Sequence, residues 1–415
     1  MERERGIVKK IAPLTLLVLT AMLFLAAPVL ASGVQVNDQA CPISGNILIK
    51  DGAARVSVDF VEKALGATVV IEGDQVTITK GTHTLIMTVG TALATLDEQK
   101  LAAPMAPFRS PQGQIMLPLR FLGEGLDIEV GYRPADDTIV LSFPDTRNGM
   151  TAGELLGKAN AKMMQYNSYH ISGKMIISMY IEGLKPPRES IAICFIADEN
   201  GFFQNQPFVC YLKNDFRTSL PIAMLTGDPV MEMEALFKAN NVYYRWFGEE
   251  WVKESSDEDM ANTFMPYDND PVKLIKDLKD SGFLACFGED EVIDGRACYT
   301  VNITLMEPNF GQQLKQMMQS AQTLPAEQAE FMEQALQNFK ADMFLKAYID
   351  RATLLNENTD IEASVSMTLP DPETGQDVSL RIEIEGRMGA NNWDVPMALP
   401  DVSSAKDAAE LDFDI

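Results

Sequence analysis

Two histidines, His83 and His170, and five cysteines are the metal-binding and nucleophilic side chains available to this 415-residue chain. Two imidazoles leave little room for chemistry that needs several. His83 lies in Thr82-His83-Thr84 on an alternating stretch and His170 starts another, so both read as structural or exposed side chains. The cysteines Cys41, Cys194, Cys210, Cys286 and Cys298 include no CxxC pair, so zinc and thioredoxin-like chemistry have no support. Carboxylates are plentiful: 59 acids against 34 bases give a net charge of -25. The runs Asp257-Glu258-Asp259, Asp268-Asn269-Asp270 and Glu289-Asp290-Glu291 offer oxygen ligands, but none has EF-hand spacing, and solvated loops explain them. Two acids facing across a cleft would suit glycoside hydrolysis, a hydrolase reading that requires raised carboxyl pKa values there. No G-x-S-x-G, H-E-x-x-H, Walker or dinucleotide fingerprint occurs. The expectation is a non-enzyme with no catalytic residues, cofactor or metal.

The acidic balance also excludes partners. Nucleic acid binding needs clustered Lys and Arg, and docking on anionic lipid by charge needs the same. The N-terminus reads as a secretory signal over residues 1–31: Arg3, Arg5, Lys9 and Lys10, an apolar run Leu14–Ala27, and a small-residue cleavage site Val29-Leu30-Ala31. Cleavage after Ala31 removes four basic and two acidic groups and leaves -27. An uncleaved N-terminal anchor is the alternative, although the run is short for a span of about 20 residues. Asp38 before Cys41 breaks a lipobox. The address is therefore secreted, extracellular or cell-envelope. Export permits disulfides, and the spacings allow Cys194–Cys210 and Cys286–Cys298, each contributing roughly 3 kcal/mol in the chain-entropy model. Reduced, buried thiols are the other reading.

Two modules follow. The first, residues 46–143, contains an internal repeat: Val58, Phe60 and Leu65 match Leu119, Phe121 and Leu126 at a spacing of 61. Each copy reads as a strand entering a helix, followed by a hairpin with Gly, Pro or Asp turn chemistry. A duplicated α+β unit follows. The stretch Ile115-Met116-Leu117-Pro118-Leu119-Arg120-Phe121-Leu122-Gly123-Glu124-Gly125-Leu126 resembles the signature of the copper amine oxidase N-terminal-like domain. The resemblance implies a non-catalytic module of secreted bacterial envelope proteins, suited to attachment or interaction. It implies no copper, because copper amine oxidases need three copper histidines and a T-x-x-N-Y motif that this chain lacks. Arg120 reads as structural, paired with Glu124 one turn later.

A polar linker, 144–151, ends at Thr151, an N-cap with Glu154 in the capping-box position. The second module, 152–415, opens with an amphipathic helix and then alternates. Ile171, Met175, Ile177, Met179 and Ile181 alternate with polar residues, as do Tyr299–Leu305, Ile361–Met367 and Val378–Ile384. Helices are expected over Asp270–Leu278 and over 308–346, the latter with a Met/Phe stripe. The fold class is thus α+β: a small duplicated α+β module, then a large antiparallel curved sheet, a half-barrel, covered by helices. Tyr166–Gly173, the Trp246…Trp251 hairpin and Val292–Val301 resemble the lipoprotein-carrier-like fold. That family implies an apolar concavity, which in some members holds acyl chains, and no catalytic residues. A lipid or other apolar ligand would then lie against Met317, Met318, Phe331, Phe339 and Met343. The alternative is a structural, wall-associated protein whose half-barrel is simply filled, with a cell-wall or envelope protein as partner.

Overall fold

Alternation of apolar and polar residues commits most of this chain to strands. The computed structural model describes residues 33–43, 47–50, 53–111, 113–183, 190–218, 230–246, 248–255, 283–306, 339–370 and 377–408. The expected signal, 1–31, the Asp270–Leu278 helix and the 308–338 part of the helical insert lie outside them.

The N-terminal part comprises β1 (Val34–Val36), β2 (Gln39–Ala40), β3 (Ile47–Lys50), β4 (Ala53–Ser57), α1 (Val58–Lys63), β5 (Thr68–Glu72), β6 (Gln75–Lys80), β7 (His83–Thr88), β8 (Thr91–Leu96), β9 (Gln99–Ala102), β10 (Phe108–Arg109), β11 (Ile115–Pro118), α2 (Leu119–Gly125), β12 (Glu129–Arg133) and β13 (Thr138–Ser142). They form a β5–β9 meander and two four-stranded sheets, ordered β12-β13-β1-β2 and β10-β11-β4-β3. Ser57 starts α1 by accepting the Phe60 amide at 3.1 Å, the N-cap that frees the chain from the strand. Phe60, Leu65, Ile78, Leu85, Leu117, Leu122 and Leu141 close one core over the three sheets. The duplication expected from the sequence does not extend to the sheets. The hairpin after α1 grows into the meander, whereas the hairpin after α2 takes β1 as a parallel neighbour. Arg120 and Glu124 are both exposed on α2 and form no ion pair with each other among the described residues.

A short ladder, β14 (Thr146–Arg147) with β15 (Met150–Thr151), leads into α3 (Ala152–Met163). The capping box of Thr151 and Glu154 is complete on both arms. The remaining strands are β16 (Ser168–Glu182), β17 (Ser190–Gln204), β18 (Val209–Thr218), β19 (Val230–Lys238), β20 (Asn241–Trp246), β21 (Val252–Ser255), β22 (Leu284–Phe287), β23 (Glu291–Ile293), β24 (Arg296–Met306), β25 (Lys340–Asp350), β26 (Asn356–Pro370), β27 (Asp377–Asn391) and β28 (Lys406–Asp407). They make one 13-stranded sheet, β22-β24-β25-β26-β27-β16-β17-β18-β19-β20-β21-β28, with β23 beside β24. No pairing joins β22 to β28 among the described residues, and every described neighbour is antiparallel except β28 on β21. One face carries Met175, Ile177, Met179, Val365, Ile382 and Ile384 as a continuous core. α3 covers one end of that face through Ala152, Leu155 and Ala159 against Phe287, Val301 and Ile349. On the opposite face the tail residues Met397, Leu399 and Val402 pack over Tyr211, Leu236 and Trp251.

Residues 340–346 are strand β25 rather than the end of a helix. Phe339, Met343 and Phe344 fit a helical stripe, but Ala341, Met343, Leu345, Ala347 and Ile349 alternate. Ladders to β24 on one side and β26 on the other settle the choice. Met343 and Phe344 therefore point to opposite faces.

Neither expected disulfide forms. Cys210 lies opposite Phe203 on β17, nine residues along from Cys194, or roughly 30 Å at strand rise. Cys286 lies opposite Asn302, four residues from Cys298 on the same strand. Burial pushes the Cys41 and Cys210 thiols up to about 12, which removes the thiolate needed for exchange. A reductant should leave both the electrophoretic mobility and the thermal midpoint of the protein unchanged. A loss of several degrees on reduction would contradict this arrangement.

The two parts meet where α1 lies on β22 and β24. Asn302 Nδ2 donates to the Glu62 carbonyl at 3.1 Å, Thr304 Oγ1 to the Lys63 carbonyl at 3.2 Å, and Leu284 enters the N-terminal core. Half-buried Asp145 accepts the Phe287 amide at 3.1 Å, and Arg147 stacks over the Phe287 ring. Burial raises the Asp145 carboxyl and lowers the nearby Lys80 ammonium. Gly66, at φ +67°, lets its backbone approach the Phe287 carbonyl.

Candidate functional site

The apolar face of the large sheet is a broad, chemically uniform surface. It is built by strict alternation across β24–β27 and β16–β20, so its composition follows from the register. Five methionines, Met175, Met179, Met233, Met343 and Met367, are buried in it, with Met388 partly buried alongside. Methionine conforms to irregular apolar surfaces, which suits a face that contacts flexible chains. Phe339 and Met343, expected at a ligand site, belong to this cluster. Met317, Met318 and Phe331 lie outside the described residues. A second apolar group, Phe203, Phe208, Cys210, Leu212 and Phe237, with Tyr169 stacked on Phe203, continues the same face toward the other end of the strands.

Between these two groups the face is polar at two adjoining positions. Glu199 is paired in register with Asn214 across β17 and β18, and with Gly173 across β16 and β17. Both polar side chains are 6% exposed. Among the described residues no hydrogen bond or ion pair reaches either of them. Burial alone pushes the Glu199 carboxyl up to about 7. Buried carboxyls normally have partners, so an unpartnered one in an apolar face is a functional signal. Sequence alternation marks Glu199 only as an acid in a strand. Its isolation becomes visible once Asn214 and Gly173 are known to flank it.

The other constellations are structurally committed. His83 bridges Asp97 at 2.8 Å and Asp127 at 3.2 Å, and the Asp97 hydrogen bond holds its pKa above the usual imidazole range. His170 Nε2 lies 3.0 Å from the Val395 carbonyl, tying down the tail. In the run Glu289-Asp290-Glu291, Glu289 accepts the Gly81 amide at 2.5 Å, Asp290 pairs with Arg147 and Arg351, and Glu291 pairs with Lys346. The runs at 257–259 and 268–270 lie outside the described residues. A polar groove of about 470 Å³ opens beside Lys174, Arg296, Glu357 and Arg387. Three of its charges are already paired, Arg296 with Glu357 inside the groove and Arg387 with Asp360.

The N-terminal sheets can now be compared with known proteins. Residues 35–141 match the family model of the copper amine oxidase N-terminal domain. The matched range takes in β1, whose pairing Val34↔Ile139 to Val36↔Leu141 ties it to the end of the domain. The domain's residues do not fit a copper site: it holds one of the two histidines, already bridging Asp97 and Asp127, and among the described residues no three His, Cys, Asp or Glu converge to hold a metal. None of the curated proteins matches the sequence. Among solved structures the chain is similar to LprF from Mycobacterium bovis, at 15% identity over 60% of this chain and 96% of that one, TM-score 0.27. It is also similar to a DUF1329 family protein from Desulfovibrio piger, at 12% identity over 60% and 94%, TM-score 0.19. A third is a putative outer membrane lipoprotein-sorting protein domain from Vibrio parahaemolyticus, at 10% identity over 61% and 96%, TM-score 0.22. These likenesses carry no conclusion about ligand or activity. No described helix is long and apolar enough to cross a membrane.

Proposed function

We propose that this is an exported, non-enzymatic cell-envelope protein whose large sheet binds an aliphatic ligand on its apolar face. The copper amine oxidase N-terminal domain serves it as an attachment or interaction module. The observation that carries the reading is the methionine-rich face itself, continuous over Met179, Ile382, Val365 and Met343 and free of any charged side chain there. In support of an interaction role, the β5–β9 meander leaves Val70, Ile71 and Leu93 about half exposed or more. A structural protein with a filled half-barrel is the competing reading, and it draws on the exposure of Ile177, Ile382 and Ile384, which is no more than 2%.

The test uses the full mature chain and n-alcohols of 8 to 16 carbons, read by native mass spectrometry and by thermal stabilisation. An apolar site should bind one or a few chains with affinity rising about fourfold per added methylene, from roughly 0.8 kcal/mol of transfer free energy each. Absence of any bound alcohol, together with an unchanged thermal midpoint at every length, would establish the filled reading instead.

A further inference from the structure

Glu199 and Asn214 interrupt an apolar face and have no hydrogen-bond or ion-pair partner among the described residues. No lysine or arginine shares the apolar face of β16–β20: Lys174, Lys213, Arg217, Lys238 and Arg245 all occupy the alternate register and point to the opposite face. The apolar-face positions packed around Glu199 are Gly173 and Met175 on β16, Leu212 and Asn214 on β18, Met233 on β19 and Met388 on β27. The Cys210 thiol on the same face is raised by its own burial and by Glu199. Tyr169, Tyr244 and Glu254 are the remaining titratable groups on this face of β16–β21, and none supplies a positive charge.

We propose that Glu199 and Asn214 form the head-group end of the apolar site and select an aliphatic ligand that carries a primary amine, an inference that rests on the apolar-ligand function above. The chemistry is complementary. An alkylammonium brings three donors and one positive charge. Two carboxylate oxygens of Glu199 and the amide oxygen of Asn214 offer three acceptors, two of them ionic. A cation neutralises a buried carboxylate that has no partner among the described residues. A hydroxyl head would satisfy one acceptor, and a carboxylate or phosphate head would bring a second negative charge into the same place. Gly173, opposite Glu199, has no side chain of its own, and the Met388 thioether fills the space above it, so the group beside the carboxyl on the β16 side is apolar and flexible.

The experiment compares dodecylamine, dodecanol and dodecanoate on the full mature chain at pH 5.5 and pH 8.5, by calorimetric titration below their micellar concentrations. Glu199 passes from mostly neutral to mostly ionised across this range, while the amine keeps its charge. Dodecylamine affinity should rise tenfold or more with pH, dodecanol affinity should stay level within twofold, and dodecanoate should bind most weakly at pH 8.5. Glu199→Gln should abolish the pH dependence for the amine. The wild-type pH series tests the idea even if the variant folds poorly. Dodecanol binding with no preference for the amine, or dodecanoate binding best at pH 8.5, would overturn the head-group assignment and leave the apolar site standing. Failure of all three ligands to bind would overturn both.

Discussion

Replacing Gly66 with alanine should destabilise the joint between the N-terminal sheets and the large sheet by roughly 2–6 kcal/mol. Two costs coincide at this position. At φ +67° an L side chain is strained, and a Cβ there would lie 2.0 Å from the Phe287 carbonyl oxygen and 3.0 Å from its carbon. Both atoms belong to the backbone of β22, so neither can rotate away, and relief requires α1 to lift off. That movement would also break the hydrogen bonds from Asn302 and Thr304 to the carbonyls at the end of α1. Gly73 is the natural control. It has φ +64° with nothing within 4 Å of a Cβ, so Gly73→Ala should cost only the backbone strain, about 1 kcal/mol. Urea unfolding of both variants measures the difference, and limited proteolysis at the 144–151 connection reports separation of the two parts. Equal losses for the two variants would mean that the close approach to Phe287 does not hold the joint.

Glu199→Gln should stabilise the free protein, and only toward alkaline pH. Desolvation raises the folded-state pKa of this carboxyl from 4.5 to about 7, so the folded state binds a proton that the unfolded chain releases. Below about pH 4.5 both states are protonated and the residue carries no ionisation penalty. Between 4.5 and 7 the penalty grows as pH rises, and above 7 it is constant at on the order of 3 kcal/mol. The variant should therefore match the wild type in urea at pH 4.5 and exceed it by that amount at pH 8. A difference that is the same at both pH values would mean that the carboxyl is not desolvated. The destabilising charge is the quantity that a cationic ligand would offset, so bound dodecylamine should close the gap between the two proteins at pH 8.

The strands of the large sheet were readable from the chain because period-two alternation survives in β16, β24, β26 and β27, where one face is apolar and the other wet. β25 was not readable in the same way. Phe344 puts an apolar residue on the face opposite Met343, where the Lys63 ammonium sits 5.0 Å from its ring, and that contact with α1 blurs the alternation into an apparent helical stripe. The short helix of each repeat was legible from the matched apolar residues, Val58, Phe60 and Leu65 in one copy and Leu119, Phe121 and Leu126 in the other, but the sheet that each following hairpin joins depends on distant partners such as β1. The cysteine spacings misled because sequence separation does not fix register: Cys194 and Cys210 sit at different levels of the same ladder. Of the site, the apolar content was legible and the polar pair was not. Glu199 and Asn214 are fifteen residues apart and meet only through the β17–β18 register.

The central claim is that an aliphatic chain lies on the apolar face of the large sheet. Paramagnetic broadening of methionine methyl resonances by a nitroxide-labelled dodecyl ligand tests it most directly, because methionines mark that face and are also present elsewhere. Met175, Met179, Met233 and Met343 should broaden on titration, while Met105 in the N-terminal domain and Met150 beside α3 keep their intensity. Uniform intensities throughout, or broadening confined to Met105 and Met150, would contradict the claim.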